Sequence, residues 1–311
     1  MKLEDIGFYT LSDHRAQQSS STSPLWRCEL LLTSRCNFRC PYCRGLRGDD
    51  ISIDKAKDVL CYWFDGGLKN VRFSGGEPTI YNGLQELVSL CKGNGVERIA
   101  VSTNGSADYS YYAELIGAGA NDLSISLDAC CSAGGETMTG VRDMWQKVVD
   151  NITLLSADTY VTVGLVYNEL NKDSIAETVR FASSLGVADI RVIPSAQYGS
   201  KMSFVIGATT LDKHPILRYR LSGRRSVRGI GAHDCHRCRL VLDDMAIWNG
   251  CHYPCIIYLR ENGNPIGKVS SNMRRERYEW YAKHNSHADD ICRTNCLDAC
   301  VEYNNYANLY A

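Results

Sequence analysis

The spacing of hydrophobic and polar residues changes repeatedly between residues 26 and 195. Short runs of alternating or β-branched apolar residues predict strands, and longer stretches with apolar residues at helical spacing predict helices. The predicted strands cover residues 28–32, 70–73, 98–102, 122–127, 160–167 and 189–193. The helical patterns lie near residues 54–64, 84–92, 111–118, 142–155 and 172–185.

Strands that alternate with helices indicate a parallel sheet with right-handed crossover connections. Six strands are too few for a closed eight-unit barrel. The predicted fold class is therefore α/β, an open (β/α)6 partial TIM-like barrel followed by a small cysteine-rich C-terminal domain. In such barrels functional residues lie at the carboxyl ends of the strands, so candidate chemistry is expected in the loops that follow them.

Composition narrows the class of protein. The 311 residues are 44% hydrophobic with a net charge of −1, which predicts a folded core and no general attraction to nucleic acid or membranes. The first ten residues lack the apolar region of a signal peptide, and no apolar run is long enough to span a bilayer. We therefore expect a cytoplasmic protein, in which 15 cysteines indicate metal ligation rather than disulfides.

Three cysteines directly follow the first predicted strand. Cys36, Cys40 and Cys43 have the spacing C-x3-C-x2-C. Thiolates on one short loop can ligate three irons of a cubane cluster and leave the fourth iron open to a substrate or cofactor. The alternative is a zinc knuckle or a set of structural thiols, although three cysteines leave zinc one ligand short locally.

This motif resembles the signature of the radical S-adenosylmethionine (SAM) enzymes. The resemblance implies that the open iron chelates SAM and that one electron from the 4Fe–4S cluster cleaves the sulfonium to a 5′-deoxyadenosyl radical. It extends over about residues 26–194 and implies the same partial barrel. It also implies an external one-electron donor, such as flavodoxin or ferredoxin.

The loops after the later strands contain further residues of this resemblance. Gly75-Gly76-Glu77 could be an ordinary turn, but it is similar to the GGE motif that contacts the SAM amino group. Alternation places Ser126 and Asp128 on one strand face, where unpaired polar groups would cost about 1–3 kcal/mol each, and the resemblance assigns them to the SAM ribose. The other SAM-binding residues that it implies are Tyr42 (packing on the adenine), Ser102, Asn104, Asn168 and Val192.

A second group of cysteines lies near the C-terminus. Residues 238–255 predict a hairpin with Asn249-Gly250 as its turn, bordered by cysteines as in SPASM and twitch extensions. That resemblance implies one auxiliary 4Fe–4S cluster. The ligands assigned to it are Cys238, Cys255, Cys296 and Cys300, with Cys235, Cys251 and Cys292 as competitors.

Two alternatives stay open for this region. A structural zinc site could include His236 or His252. The cysteines at 292, 296 and 300 would share one face if they lay on a single helix.

The predicted organisation has four parts. Residues 1–25 form a flexible lead-in, 26–195 the barrel core, 196–232 a basic connecting segment and 233–311 the auxiliary domain. Between Asp212 and Asp234 the connecting segment has no acidic residue. Its arginines either form a solvated face or bind a phosphate or carboxylate of the substrate. They are Arg218, Arg220, Arg224, Arg225 and Arg228.

The leading functional hypothesis is a radical SAM enzyme that abstracts hydrogen from a peptide or protein side chain. The alternative substrate is a nucleotide-like or other anionic small molecule, as in the molybdenum-cofactor cyclisation enzymes that the layout resembles. A hypothesis from another class is a non-catalytic RNA-binding module that is stabilised by zinc or an iron–sulfur cluster. The net charge of −1 does not favour nucleic acid as a partner.

Overall fold

The computed structural model describes residues 17–199 and 202–310, and within them nine strands form a single sheet. The strands lie in the order β6-β5-β4-β3-β2-β1-β7-β8-β9. Their bounds are β1 Arg27–Thr33, β2 Asn70–Gly75, β3 Arg98–Thr103, β4 Asp122–Ser126, β5 Tyr160–Tyr167, β6 Asp189–Pro194, β7 Asp244–Trp248, β8 Cys251–Tyr253 and β9 Gly267–Lys268.

Within the described part of the chain, six helices lie between β1 and β6, and six helices follow β6. The first six are α1 Ile53–Phe64, α2 Leu84–Gly93, α3 Tyr109–Ala118, α4 Ser132–Thr139, α5 Trp145–Asp158 and α6 Ile175–Ser184. The later ones are α7 Ala208–Lys213, α8 Pro215–Leu221, α9 Ile256–Arg260, α10 Met273–Lys283, α11 Asp290–Asn295 and α12 Asp298–Ala307. None of these helices combines the length and the apolar character needed to cross a bilayer.

The predicted partial barrel is confirmed. Strands β1 to β6 are parallel neighbours in chain order, and the sheet does not close. The apolar faces of the crossover helices pack on the sheet. In α1, for example, Ala56, Val59, Leu60 and Trp63 are buried, and the Ser52 side chain caps the helix by accepting from Lys55 N. This core holds the carboxyl ends of the strands at one edge, where the loops form a cavity.

The predicted C-terminal hairpin exists, but it extends the barrel sheet. Strand β7 pairs in parallel with β1, and Arg27 forms an ion pair with Asp244 at the start of both strands. The turn to β8 places Asn249 and Gly250 at φ 50° and 68°, the left-handed values of a type I′ turn. The segment with the late cysteines is therefore anchored on the first barrel strand.

The arginines of the basic connecting segment lie in different surroundings. Arg220 is buried and pairs with Asp298 at 3.0 Å, whereas the exposed Arg218 lies 3.5 Å from Asp212. Arg225 pairs with Asp234. The buried Arg220–Asp298 pair therefore joins α8 to α12, whereas the pair formed by the exposed Arg218 links α8 to α7.

The predicted lead-in is only partly described, since residues 1–16 lie outside the described residues. The polar tract that follows is attached to the C-terminal half. Arg239 donates to Ser19 O at 2.7 Å, and Arg274 donates to Ser20 O and to Ser23 Oγ. The flexibility expected from its composition is thus opposed by two arginines that are distant in sequence.

Candidate active site

The three-cysteine loop leaves β1 at the carboxyl edge of the sheet. Cys36 and Cys43 are exposed and Cys40 is half-buried, and all three line one cavity. The loop donates backbone N–H groups to its own sulfurs, from Phe38 to Cys36 at 3.4 Å and from Gly45 to Cys43 at 3.3 Å. Such bonds stabilise thiolates, so the loop suits negatively charged metal ligands.

The glycine pair at the end of β2 packs directly against the residues that precede Cys36. Gly76 N donates to Thr33 O at 2.7 Å, and Glu77 N donates to Arg35 O at 2.8 Å. Gly75 has φ +144°, and a Cβ there would lie 3.0 Å from Thr33 N. The two glycines are therefore required by the close approach of two backbones, which positions the cysteine loop.

The Glu77 side chain joins the loops after β2 and β3. Its Oε1 accepts from the Thr79 and Thr103 hydroxyls at 2.7 Å each, and its Oε2 accepts from Asn104 N at 2.7 Å. Burial raises the pKa of this carboxyl, and the hydrogen bonds oppose that shift. Glu77 thus organises the cavity wall, in addition to the contact with SAM that the sequence predicts.

Asn104 links this wall to the cysteine loop. Its Nδ2 donates to Asn37 Oδ1 at 2.8 Å and lies 3.9 Å from Cys36 Sγ. Ser102 lines the cavity too, and its hydroxyl accepts from Arg72 at 2.8 Å. Both residues lie where the sequence predicts SAM, and both also hold protein partners.

The end of β4 supplies Ser126 and Asp128 to the same cavity. Asp128 is buried, and its two oxygens accept from Tyr42 OH and, at 2.6 Å, from Val166 N. Burial raises the pKa of Asp128 to about 6. Asp128 therefore fixes the predicted adenine-packing residue Tyr42, whereas the side chain of Ser126 is exposed to the cavity.

Two of the residues predicted to bind SAM lie outside the cavity lining. Asn168 caps the turn after β5, where its Oδ1 accepts from Leu170 N at 2.8 Å. Val192 is fully buried, and its carbonyl accepts from Arg220 at 3.1 Å. The structure brings the other eight predicted SAM residues together: Tyr42, Gly75, Gly76, Glu77, Ser102, Asn104, Ser126 and Asp128.

The cavity has a volume of about 710 Å³, within the usual range for ligand sites. Part of its wall comes from residues that sequence patterns did not reveal. Arg260 at the end of α9 donates to Gly75 O at 2.7 Å, and the adjacent Glu261 pairs with Arg44, next to Cys43. Arg228, which the sequence offers as one of the arginines that could bind an anionic group of the substrate, also lines the wall. Only spatial proximity identifies Arg260 and Glu261, because their contacts join segments about 200 residues apart.

A second cavity contains six of the seven C-terminal cysteines. They are Cys235, Cys238, Cys255, Cys292, Cys296 and Cys300. Cys251 is absent from this lining and lies in β8. The cavity therefore includes all four thiols that the sequence assigns to an auxiliary cluster, and two of the three competitors.

The buried thiols of this cavity lie within electrostatic reach of one another. Burial, and then the charge of Cys238, raise the pKa of Cys255 to about 12. Burial and then the charges of neighbouring cysteines also raise the pKa of Cys292 and Cys296. Thiols crowded in this way ionise when a metal centre balances their charge, so the donor set fits an iron–sulfur cluster.

Two expectations for this region need correction. Cys292, Cys296 and Cys300 do not share one helix, because the chain breaks at Cys296, which lies between α11 and α12. They still reach one cavity because the two helices converge on it. His252 is not a free metal ligand, since Arg277 lies 3.3 Å from its Nδ1 and Glu276 lies 2.9 Å from its Nε2.

The chain matches the radical SAM superfamily over residues 30–182, a segment that includes the cysteine loop and the Gly-Gly-Glu turn. Together with the partial barrel, this match defines the class of protein: the chain belongs to the radical SAM superfamily. It is an enzyme whose cofactors are a 4Fe–4S cluster and SAM, and enzymes of this class need a reductant and a substrate.

Two relatives have similar sequences. The chain is 24% identical to GTP 3′,8-cyclase of Alkaliphilus metalliredigens over 294 residues, which cover 80% of this chain and 90% of that protein. It is 31% identical to the probable GTP 3′,8-cyclase of Saccharolobus solfataricus over 202 residues, which cover 63% of each chain. The chain therefore spans less than two thirds of the length of the second relative.

Two solved structures share the fold. Streptococcus suis SuiB bound to S-adenosylmethionine has a TM-score of 0.59 at 18% identity, covering 84% of this chain and 64% of SuiB. The enzyme anSMEcpe with bound AdoMet also has a TM-score of 0.59, at 13% identity, covering 92% of this chain and 96% of that one. At these identities the similarity shows the architecture.

Proposed function

We propose that this enzyme cleaves SAM to a 5′-deoxyadenosyl radical and abstracts hydrogen from a nucleotide-like anionic substrate. The observation that supports it best is the convergence of Cys36, Cys40 and Cys43 with the Gly-Gly-Glu turn in one cavity. When bound, the cluster supplies the electron that cleaves SAM. An external one-electron donor such as flavodoxin or ferredoxin would reduce it.

The residues of the cavity orient SAM and exclude water. Glu77 holds the loops after β2 and β3 together beside the Gly75-Gly76 turn. Tyr42 is held by Asp128, so its ring is fixed before SAM binds. Preorganisation of this kind lowers the entropy cost of aligning the reacting groups.

The substrate proposal departs from our leading expectation of a peptide. The relatives named GTP 3′,8-cyclase favour the nucleotide alternative. Arg228 is consistent with an anionic substrate. Its guanidinium donates to two uncharged backbone acceptors, Pro194 O at 2.7 Å and Asn295 O at 3.4 Å, so these bonds leave its positive charge unneutralised. Within residues 17–199 and 202–310, no carboxylate forms an ion pair with this cavity-lining arginine. The carboxylates that act on it electrostatically, Glu261 and Asp298, are paired with Arg44 and Arg220, so an anionic ligand would meet a guanidinium that has no ion-pair partner.

We assign the auxiliary 4Fe–4S cluster to Cys238, Cys255, Cys296 and Cys300. Its cavity adjoins the SAM cavity, because Ile257 lines both. Cys255 is the N-cap residue of α9, and this short helix ends at Arg260 in the SAM cavity. An auxiliary cluster held by these cysteines would border the SAM cavity and would supply a second centre for substrate binding or electron transfer.

The test is the formation of 5′-deoxyadenosine by the anaerobically reconstituted enzyme with SAM and dithionite. We expect GTP or another nucleoside triphosphate to increase this product, and deuterium from labelled nucleotide to appear in it. A peptide mixture serves as the second arm and the Cys40→Ala enzyme as the inactive control. Absence of 5′-deoxyadenosine would overturn the activity, and stimulation by peptides alone would overturn the substrate class.

Replacing Arg228 by methionine is expected to raise the nucleotide concentration for half-maximal stimulation about tenfold, which corresponds to the loss of one charge-assisted contact of about 1.4 kcal/mol. Nucleotide titrations of 5′-deoxyadenosine formation measure this shift. The control is Arg218→Met, which removes an exposed arginine paired with Asp212. Equal shifts in both variants would show a nonspecific effect of net charge.

A further inference from the structure

We propose that His284, Asp289 and Cys292 form a mononuclear zinc site beside the auxiliary-cluster cavity. Their ligand atoms all lie within 4.8 Å of one another. His284 Nε2 is 3.5 Å from Cys292 Sγ and 4.0 Å from Asp289 Oδ2. Tetrahedral zinc, with Zn–S of about 2.3 Å and Zn–N of about 2.0–2.1 Å, places its sulfur and nitrogen ligands about 3.5 Å apart.

The three side chains are held in place by neighbours that would support a metal. The His284 ring stacks on Trp280 with 3.8 Å between centroids and 17° between planes. Asp289 Oδ1 accepts from Cys292 N at 2.9 Å, and its Oδ2 accepts from Tyr258 OH at 2.8 Å. Hydrogen bonds that orient a ligating carboxylate in this way are typical of metal sites.

The zinc site uses the thiol of Cys292, which the proposed function does not assign to the auxiliary cluster. If Cys238, Cys255, Cys296 and Cys300 hold the auxiliary cluster, Cys292 is surplus, although it lines the same cavity. The zinc proposal rests on this assignment. A cluster that used Cys292 would remove a zinc ligand, so the two centres compete for one residue.

The ligand types of His284, Asp289 and Cys292 favour zinc. One imidazole, one carboxylate and one thiolate are the three ligand types that zinc binds, and three protein ligands leave a fourth position for water. The side chains of His284 and Asp289 are 12% and 18% exposed, which permits metal exchange with solvent. His284 follows α10 and Cys292 lies in α11, so the ion would close the loop between these helices.

The test is metal analysis of the anaerobically purified full chain, with zinc, iron and sulfide measured on the same sample. We expect about one zinc per chain in the wild type, and its loss in His284→Asn and Cys292→Ser with iron and sulfide unchanged. Zinc K-edge EXAFS of the wild type should show one sulfur at about 2.3 Å. His236→Asn is the matched control and should retain zinc, because His236 lies outside the three-residue group and its carbonyl accepts from Ser286 N, two residues after His284, at 2.9 Å.

Two outcomes would overturn the proposal. Loss of about four irons in Cys292→Ser would assign this thiol to the cluster, and zinc retained in all variants would place the ion elsewhere. The Asp289→Asn variant distinguishes loss of the metal ligand from misfolding. Asparagine also caps helices, so thermal stability should be preserved, whereas zinc affinity should fall about tenfold or more. SAM cleavage is measured independently, so failure of this site leaves the proposed activity standing.

Discussion

Gly76→Ala is expected to reduce SAM cleavage at least about 10²-fold, because a displacement of about 1 Å at a reacting centre can cost that much. A Cβ on Gly76 would lie 2.6 Å from Arg35 C and 2.8 Å from Ser34 O. These are backbone atoms directly before Cys36, so no side-chain rotation relieves the overlap. The cysteine loop must move, and the SAM-binding cluster moves with it.

Anaerobic 5′-deoxyadenosine assays and iron analysis measure this effect. Gly93→Ala is the control, since a Cβ at that position meets no atom within 4 Å and alanine favours the helix α2 in which it lies. A Gly76→Ala enzyme with wild-type iron and wild-type cleavage would show that the contact between the two loops does not position the cluster.

Much of the barrel could be predicted from local patterns. Each of the strands β1 to β6 was predicted to within two residues, because buried parallel strands have strongly apolar sequences. Helix α4 was not predicted, since its Gly134 and Gly135 weaken the helical pattern. The pairing of β7 with β1 was missed as well, because contacts between segments more than 200 residues apart leave no local periodicity.

The candidate site likewise contains residues that local sequence patterns could predict and residues that they could not. The grouping of Cys36, Cys40 and Cys43 in one cavity could be predicted, because their spacing places three potential metal ligands on one short loop. Arg260 and Glu261 could not, because neither has a motif and their partners, Gly75 and Arg44, are distant in sequence. The late cysteines were recognised as a group from their number, whereas the break between α11 and α12 depends on how the two helices pack.

Arg277→Met is expected to remove the auxiliary cluster, lowering iron from about eight to about four per chain. Arg277 is fully buried in α10. It donates to Val241 O at 2.8 Å, Tyr253 O at 2.9 Å and Pro254 O at 3.2 Å, and also to Asp244 O. Each carbonyl that loses its donor costs about 1–3 kcal/mol.

These carbonyls border the segments that carry two of the proposed ligands. Val241 lies three residues after Cys238, and Pro254 directly precedes Cys255. Methionine fills a similar volume without donating, so the two segments lose their common anchor while the apolar contacts persist. Cys238 and Cys255 are then no longer held at the spacing that the auxiliary cluster requires. The barrel loop that carries Cys36 is held by its own contacts with the Gly-Gly-Glu turn.

Iron and sulfide analysis of the reconstituted protein tests this expectation, with circular dichroism to verify folding. Arg275→Met is the matched control on the same helix, because the Arg275 side chain is 68% exposed and pairs only weakly, at 3.8 Å, with Glu279. A folded Arg277→Met protein that keeps its full iron content would show that the hairpin positions Cys238 and Cys255 without this guanidinium. A protein that loses all its iron would instead show that the two cavities, which share Ile257, assemble as one unit.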